Sequence, residues 1–157
     1  MTEIGTTAKN RLKCRRIMAA NVTTAAREST LQEAAAVLRD GDIGILPIVD
    51  GEGRLVGLLT DRDIVVRAVA DGLDVTETRA GDIMTEDLFT AGPDDYVFEA
   101  LRTMGEKQVR RIPIVDEEGV LQGIVSMADI ALEMEDEKEV AETLEEISSG
   151  AAFWNKN

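Results

Sequence analysis

The chain has 157 residues, a length that suits one compact domain or two very small ones. Hydrophobic residues make up 44% but aromatics only 3%, so Leu, Ile, Val and Ala must build the core. A formal net charge of -14 disfavours nucleic-acid backbones, so no nucleic-acid partner is expected; the acidity otherwise reads as solubility. No apolar run approaches the length of a membrane span, and the first 18 residues lack the apolar core of a secretory signal. With a single cysteine, Cys14, and no histidine, neither an internal disulfide nor a tetrahedral zinc site is expected. These features together suit a cytoplasmic protein.

In chain order, residues 1–10 read as a flexible N-terminus. A first unit follows over 11–70. It opens on a short strand near Val22–Thr24. Leu31, Ala34, Ala35 and Leu38 then have the i, i+3, i+4, i+7 spacing of an amphipathic helix. Two short apolar runs, Ile45–Val49 and Leu55–Leu59, flank the turn signal Asp50-Gly51-Glu52-Gly53 and predict a hairpin. A second helix begins near Asp61, with Ile64, Val65, Ala68 and Val69 as its apolar positions. A polar linker spans 71–80, and a second unit spans 81–134. It repeats the pattern with a strand near Leu88–Thr90, helix positions Val97, Ala100, Leu101 and Met104, and strands Ile112–Val115 and Leu121–Val125. Its last helix carries Met127, Ile130, Ala131 and Met134. The segment 135–157 reads as an acidic C-terminal helix and tail. Its helix begins within the second unit at Glu133 and runs to Ile147, with Val140, Leu144 and Ile147 on one face.

The two units are copies of each other. A shift of 66 residues superposes them without a gap, and about 16 of the 48 positions from Ile17 to Ile64 are identical. Pro47-Ile48-Val49-Asp50 falls on Pro113-Ile114-Val115-Asp116, and Asp63-Ile64 falls on Asp129-Ile130. Two copies are too few for a solenoid. They predict an α/β (α+β) fold of two βαββα repeats related by pseudo-twofold symmetry and sharing one core.

The best candidate site lies where each hairpin runs into its second helix. There the pattern is Gly-x-x-[Ser/Thr]-x-x-Asp: Gly57, Thr60 and Asp63 in the first copy, Gly123, Ser126 and Asp129 in the second. Two readings stand. A hydroxyl followed three residues later by an acid is a helix capping box, as at Thr30 and Glu33, where no function is assigned. Alternatively, a helix N-terminus offers N–H groups to phosphate, and the carboxylate accepts hydrogen bonds from a ribose diol. On the second reading, the glycine lets a ligand approach the strand.

These residues, with Asp-Ile-Met-Thr at 82–85, Leu-Pro-Ile-Val-Asp at 46–50 and Arg-Arg-Ile-Pro-Ile-Val-Asp at 110–116, make the chain resemble a tandem pair of CBS domains, or Bateman module, over roughly residues 16–134. CBS domains are named after cystathionine β-synthase. The resemblance implies a regulatory module that binds AMP, ADP, ATP, S-adenosylmethionine or a similar adenosyl ligand such as NAD(H). It also implies a homodimer and action on a partner, here expected to be a separate protein. Carried over by position, Asp63 and Asp129 would hold ribose, and Thr60 and Ser126 would meet phosphate. Ile45, Leu46 and Pro47, and likewise Arg111, Ile112 and Pro113, would line the adenine edge, with backbone near Thr24 and Thr90 on the base. The family's basic pair before the Leu/Ile-Pro strand is present as Arg110 and Arg111. In the first copy it is replaced by Gly44 and Ile45, with Arg62 as the candidate substitute. The cleft lined by Arg110 and Arg111 is therefore expected to bind phosphate better. Catalysis is not expected, because no Ser-His, Cys-His or metal constellation exists. The alternative is a structural dimerisation module with degenerate clefts.

Overall fold

The computed structural model describes residues 11–133 and 145–147. The readings for residues 1–10, Met134, Val140, Leu144 and the tail lie outside the described residues. In chain order the elements are helix α1 (Cys14–Ile17), α2 (Leu31–Gly41), strands β1 (Ile45–Val49) and β2 (Leu55–Thr60), and α3 (Asp61–Ile64), which continues as a π-helical turn (Val65–Val69). They are followed by α4 (Ala80–Ile83), α5 (Val97–Lys107), β3 (Arg111–Val115), β4 (Leu121–Ser126) and α6 (Met127–Glu133). Both sheets are two-stranded, β1 with β2 and β3 with β4.

The chain divides into two compact units, and the division does not follow the repeat boundary. Among the described residues, one unit joins residues 21–88 to 118–121, and the other joins 11–20 to 89–117, 122–133 and 145–147. Each helix–hairpin–helix is therefore completed by the lead-in segment of the other repeat. The cores show this directly. In the first, Leu31, Leu38, Leu46, Ile48 and Leu59 pack with Ala80, Ile83 and Met84. In the second, Val97, Leu101, Met104, Ile112, Ile114 and Ile130 pack with Cys14 and with Ile147. The repeat had suggested one shared core; instead each unit has its own.

The local rules of the sequence hold in both copies. Thr30 caps α2 by accepting from the Glu33 N–H at 3.2 Å. Helices α2 and α5 end on equivalent left-handed residues, Asp42 and Gln108, and the hairpin turns place Gly53 and Gly119 at φ 81° and 85°, where glycine is least strained. Asp50 Oδ1 accepts the N–H groups of Glu52 and Arg54 and so holds the first turn. Some helix faces differ from the periodicity. Ala35, Val65, Val69 and Ala131 are exposed, while Ile64 and Ala68 are buried. The wider π-helical turn, closed by Ala70 N–H to the Val65 carbonyl, keeps Ile64 and Ala68 inward and leaves the valines outward.

The expected opening strands are reduced to single parallel bridges, Ala25 with Ile48 and Ala91 with Ile114. Ala25 N–H donates to the Pro47 carbonyl and Val49 N–H donates to the Ala25 carbonyl. Ala91, Pro113 and Val115 do the same. Toward the expected strands at 22–24 and 88–90, the next parallel bond would come from the N–H of residue 47 or 113. Both are prolines and have none, so each ladder cannot extend into the expected opening strand.

Candidate functional site

The site is built on the junction of hairpin and helix, and both copies realise it as a reciprocal cap. In the first, Thr60 Oγ1 accepts the Asp63 N–H at 3.0 Å, and Asp63 Oδ2 accepts the Thr60 N–H at 3.0 Å. In the second, Ser126 Oγ accepts the Asp129 N–H at 3.1 Å, and Asp129 Oδ2 accepts the Ser126 N–H at 3.1 Å. The capping-box reading is thus satisfied in full. It does not exhaust the groups. Each hydroxyl is used as an acceptor and keeps its O–H to donate, and the cap uses only one oxygen of each carboxylate. Both acids are half-buried.

The strand register brings the other predicted residues to this cap. Ile45 lies opposite Thr60, Leu46 opposite Leu59 and Pro47 opposite Leu58. Leu46 and Ile112 are fully buried in their cores, and Pro47 and Pro113 are buried too, so along this edge the chain offers mainly backbone. Thr24 and Thr90 are exposed, each next to the alanine that makes the bridge. The edge beyond that bridge is open because proline ends the ladder there. Arg62 is exposed in the first turn of α3. Arg110 and Arg111 are exposed at the start of β3, and the Arg110 carbonyl accepts the Met127 N–H at 2.8 Å, which pins the arginine pair to the start of α6. A separate concavity of about 490 Å³ is lined by residues 24–28 and 49–51; it shares only Thr24 with the predicted set.

One reading of the motif needs correction. The glycines do not open the strand to a ligand. Gly57 faces Met84, and a Cβ there would collide with the Met84 Sδ and lie 2.8 Å from its Cγ. At Gly123 a Cβ would lie 2.7 Å from the Ala19 carbonyl oxygen and 2.9 Å from the Met18 Sδ. Each glycine makes room for the lead-in segment that crosses the hairpin, where Leu58 bridges Thr85 and Ile124 bridges Ala19. The two methionines are core filler, as their type suggests.

Sequence reasoning missed Arg67. Its Nη2 lies 3.5 Å from Asp63 Oδ1, while its Nη1 donates to the Ile83 carbonyl at 2.8 Å and to Thr85 Oγ1 at 3.0 Å. The candidate ribose carboxylate is therefore tied to the 83–85 segment. The 66-residue shift puts Glu133 at the equivalent position, so the second copy has no such cation. That difference was visible in the sequence, but only as a charge change outside the motif.

Comparison with known proteins settles the family. The CBS domain family matches residues 14–69 and 80–136. The chain belongs to it and carries two CBS domains. Hypoxic response protein 1 of Mycobacterium tuberculosis is 43% identical over 117 residues, covering 74% of this chain and 81% of that protein. The CBS domain-containing protein YhcV of Bacillus subtilis is 34% identical over 131 residues, covering 83% and 91%. Among solved structures, Hypoxic Response Protein I with two coordinated zinc ions superposes with a TM-score of 0.72 at 42% identity, covering 78% of this chain and 98% of the other. The CBS domain pair of protein MJ0100, in complex with 5′-methylthioadenosine and S-adenosyl-L-methionine, superposes at 0.67 and 32% identity, covering 76% and 93%. No described helix is long and apolar enough to cross a membrane.

Proposed function

We propose that this CBS pair is a regulatory module that binds adenosyl ligands, of the AMP, ADP or ATP type in the cleft carrying Arg110 and Arg111, and acts on a separate partner protein in the cytoplasm. The observation that carries this reading is the paired cap. In both copies a half-buried carboxylate and a hydroxyl with a free proton stand beside a strand edge that proline leaves open; the acid's second oxygen faces Arg67 at Asp63 and has no such cation at Asp129. An adenosine can fill such a place, with its ribose diol on the acid and its base along the backbone edge. The adenosyl complex of the MJ0100 pair supports the ligand class. The arginine pair supports phosphate recognition in one copy only, since guanidinium forks match phosphate oxygens.

Isothermal titration with AMP, ADP, ATP, S-adenosylmethionine and NADH tests this. At about 100 times its dissociation constant a ligand adds about 2.7 kcal/mol of stability. Asp129→Ala is expected to abolish binding of the phosphorylated ligands, and Asp63→Ala to leave them bound. A folded protein that binds none of the five compounds overturns the reading. That outcome would favour a structural dimerisation module, a second reading supported by the complete satisfaction of both caps.

A homodimer is part of the proposal. Val65, Val66 and Val69 are exposed together, and Leu132, equivalent to Val66 in the repeat, is 85% exposed. A second copy would cover them, giving a mass in light scattering twice the 17.1 kDa of the chain. The zinc of the solved Hypoxic Response Protein I structure is not part of the proposal. The chain has no histidine, and its one cysteine is fully buried, with burial and the Asp95 and Glu99 carboxylates pushing the thiol up to about 11. Among the described residues no group of three or more His, Cys, Asp or Glu is placed to hold a metal.

A further inference from the structure

The chain carries 17 basic and 31 acidic residues, yet Lys9 to Arg16 holds five cations in eight positions and no acid. The described part of this run is fixed. Val97 N–H donates to the Leu12 carbonyl at 2.8 Å, Cys14 N–H to the Asp95 carbonyl at 2.9 Å and Arg15 N–H to the Pro93 carbonyl at 3.0 Å. Alternation along this pinned backbone turns Leu12 and Cys14 toward the core and leaves Arg11, Lys13 and Arg15 exposed, joined by Arg16 from the first turn of α1. These four cations and Leu12 line a cavity of about 360 Å³.

Little of this charge is cancelled locally. One carboxylate, Asp94, serves two of the four: its Oδ1 accepts from Arg15 Nε at 3.0 Å and Nη2 at 2.6 Å and lies 3.9 Å from Lys13 Nζ. Among the described residues no carboxylate pairs with Arg11 or Arg16. Nor does the fold require the cluster. The 66-residue shift sets Arg11 to Arg16 against Glu77 to Asp82, where one arginine stands among two acids and small residues. There the same short helix is capped by Asp82, which accepts the Arg79 N–H at 2.9 Å. Four like charges around one cavity repel each other, so the arrangement favours an occupant of opposite sign.

We propose that this cavity is a binding site for a free oligophosphate anion, separate from the two clefts at Asp63 and Asp129. Arg11 and Arg16 supply planar forks suited to phosphate oxygens, while Arg15 is held by Asp94. The volume lies at the small end of the roughly 300–1,000 Å³ typical of ligand pockets, which suits a di- or triphosphate rather than an extended polymer. Because the rest of the chain is strongly acidic, this patch is where a polyanion gains rather than loses Coulomb energy.

The test is calorimetric titration of the full chain with tripolyphosphate at low ionic strength. Tripolyphosphate has neither ribose nor base, so the outcome does not depend on the adenosyl reading. The expected result is saturable binding that weakens about tenfold or more in Arg11→Gln/Arg16→Gln, through loss of charge-assisted bonds. Binding should stay within about twofold of wild type in Arg39→Gln/Arg102→Gln, and it should fall steeply with salt. Both substitution pairs lie at exposed positions, and an unchanged melting temperature checks the fold. Absence of tripolyphosphate binding overturns the proposal. So does a loss confined to Arg110→Gln/Arg111→Gln, or binding seen only with phosphoinositide vesicles or oligonucleotides.

Discussion

Adding one carbon at each motif glycine separates packing from ligand access. In Gly57→Ala the new Cβ meets Met84, a flexible side chain buried in the core of its unit. The methionine can turn about its own bonds, at the usual overpacking cost of about 1–3 kcal/mol, toward the lower end because its chain is unbranched. In Gly123→Ala the Cβ would lie 2.7 Å from the Ala19 carbonyl oxygen. That oxygen accepts the Ile124 N–H at 3.1 Å, and Ala19 N–H donates to the Ile124 carbonyl at 2.9 Å. Backbone cannot turn away as a side chain can, so relief requires stretching this bridge. The cost is the overpacking term plus about 1 kcal/mol for each weakened hydrogen bond, or roughly 3–5 kcal/mol in all. Replacing glycine also restricts the unfolded chain, which returns only about 0.4–1 kcal/mol. Urea unfolding of both variants reads the difference. Gly123→Ala is expected to lose more than Gly57→Ala, with adenosyl binding by the folded fraction unchanged in both. Equal stability of Gly123→Ala and wild type, or a larger loss in Gly57→Ala, would refute the assignment of these glycines to packing.

Thr60→Ala and Ser126→Ala are each expected to cost about 1 kcal/mol in urea unfolding, the usual value of a lost helix cap; two unchanged midpoints would show that the reciprocal bonds contribute nothing. Arg67→Gln removes the tie from Asp63 to Ile83 and Thr85 and is expected to cost about 1 kcal/mol, discounted for its exposure, whereas Glu133→Gln should be neutral; the reverse order would exclude the tie as a stabilising contact. With its thiol raised from 9.0 to about 11, Cys14 should alkylate about 100-fold more slowly at pH 8 in the folded than in the unfolded chain, and a ratio under tenfold would contradict the burial. The folded state holds that proton more tightly than the unfolded one, so the contribution is complete below pH 9 and lost as pH rises through about 11; Cys14→Ala should remove this part of the alkaline decline in stability.

The repeat, the hairpins and both caps were legible because they depend on short-range chemistry. Turn glycines, a hydroxyl three residues before an acid and apolar alternation act within a few positions, and Asp63 and Asp129 follow from them. The exchange of lead-in segments was not legible. Cys14 and Ala80 sit at equivalent positions of the two copies and look like ordinary apolar residues, and nothing local says that each packs with the other repeat's helices. The same exchange hid the glycine–methionine contacts, since Gly57 meets a residue 27 positions downstream and Gly123 one 105 positions upstream. The single-bridge opening strands were within reach: Pro47 and Pro113 remove the needed N–H, and only the parallel register had to be known.

The two copies share backbone geometry at their caps but not the charges around them. In the first, Asp63 faces Arg67, which is itself bonded to Ile83 and Thr85, and β1 is entered through Gly44 and the apolar Ile45. A ligand drawing on Asp63 oxygens must share them with a cation anchored to the chain that leads into the second repeat. In the second, Glu133 replaces that cation, and Arg110 and Arg111 lie at the start of β3, where the Arg110 carbonyl accepts the Met127 N–H. On the proposed adenosyl reading, moving the positive charge from the ribose end to the phosphate end would change which part of the ligand is rewarded without changing the fold that holds it. The inequality comes from side chains outside the repeated motif, so the motif alone marks two similar places while the charges make them different sites.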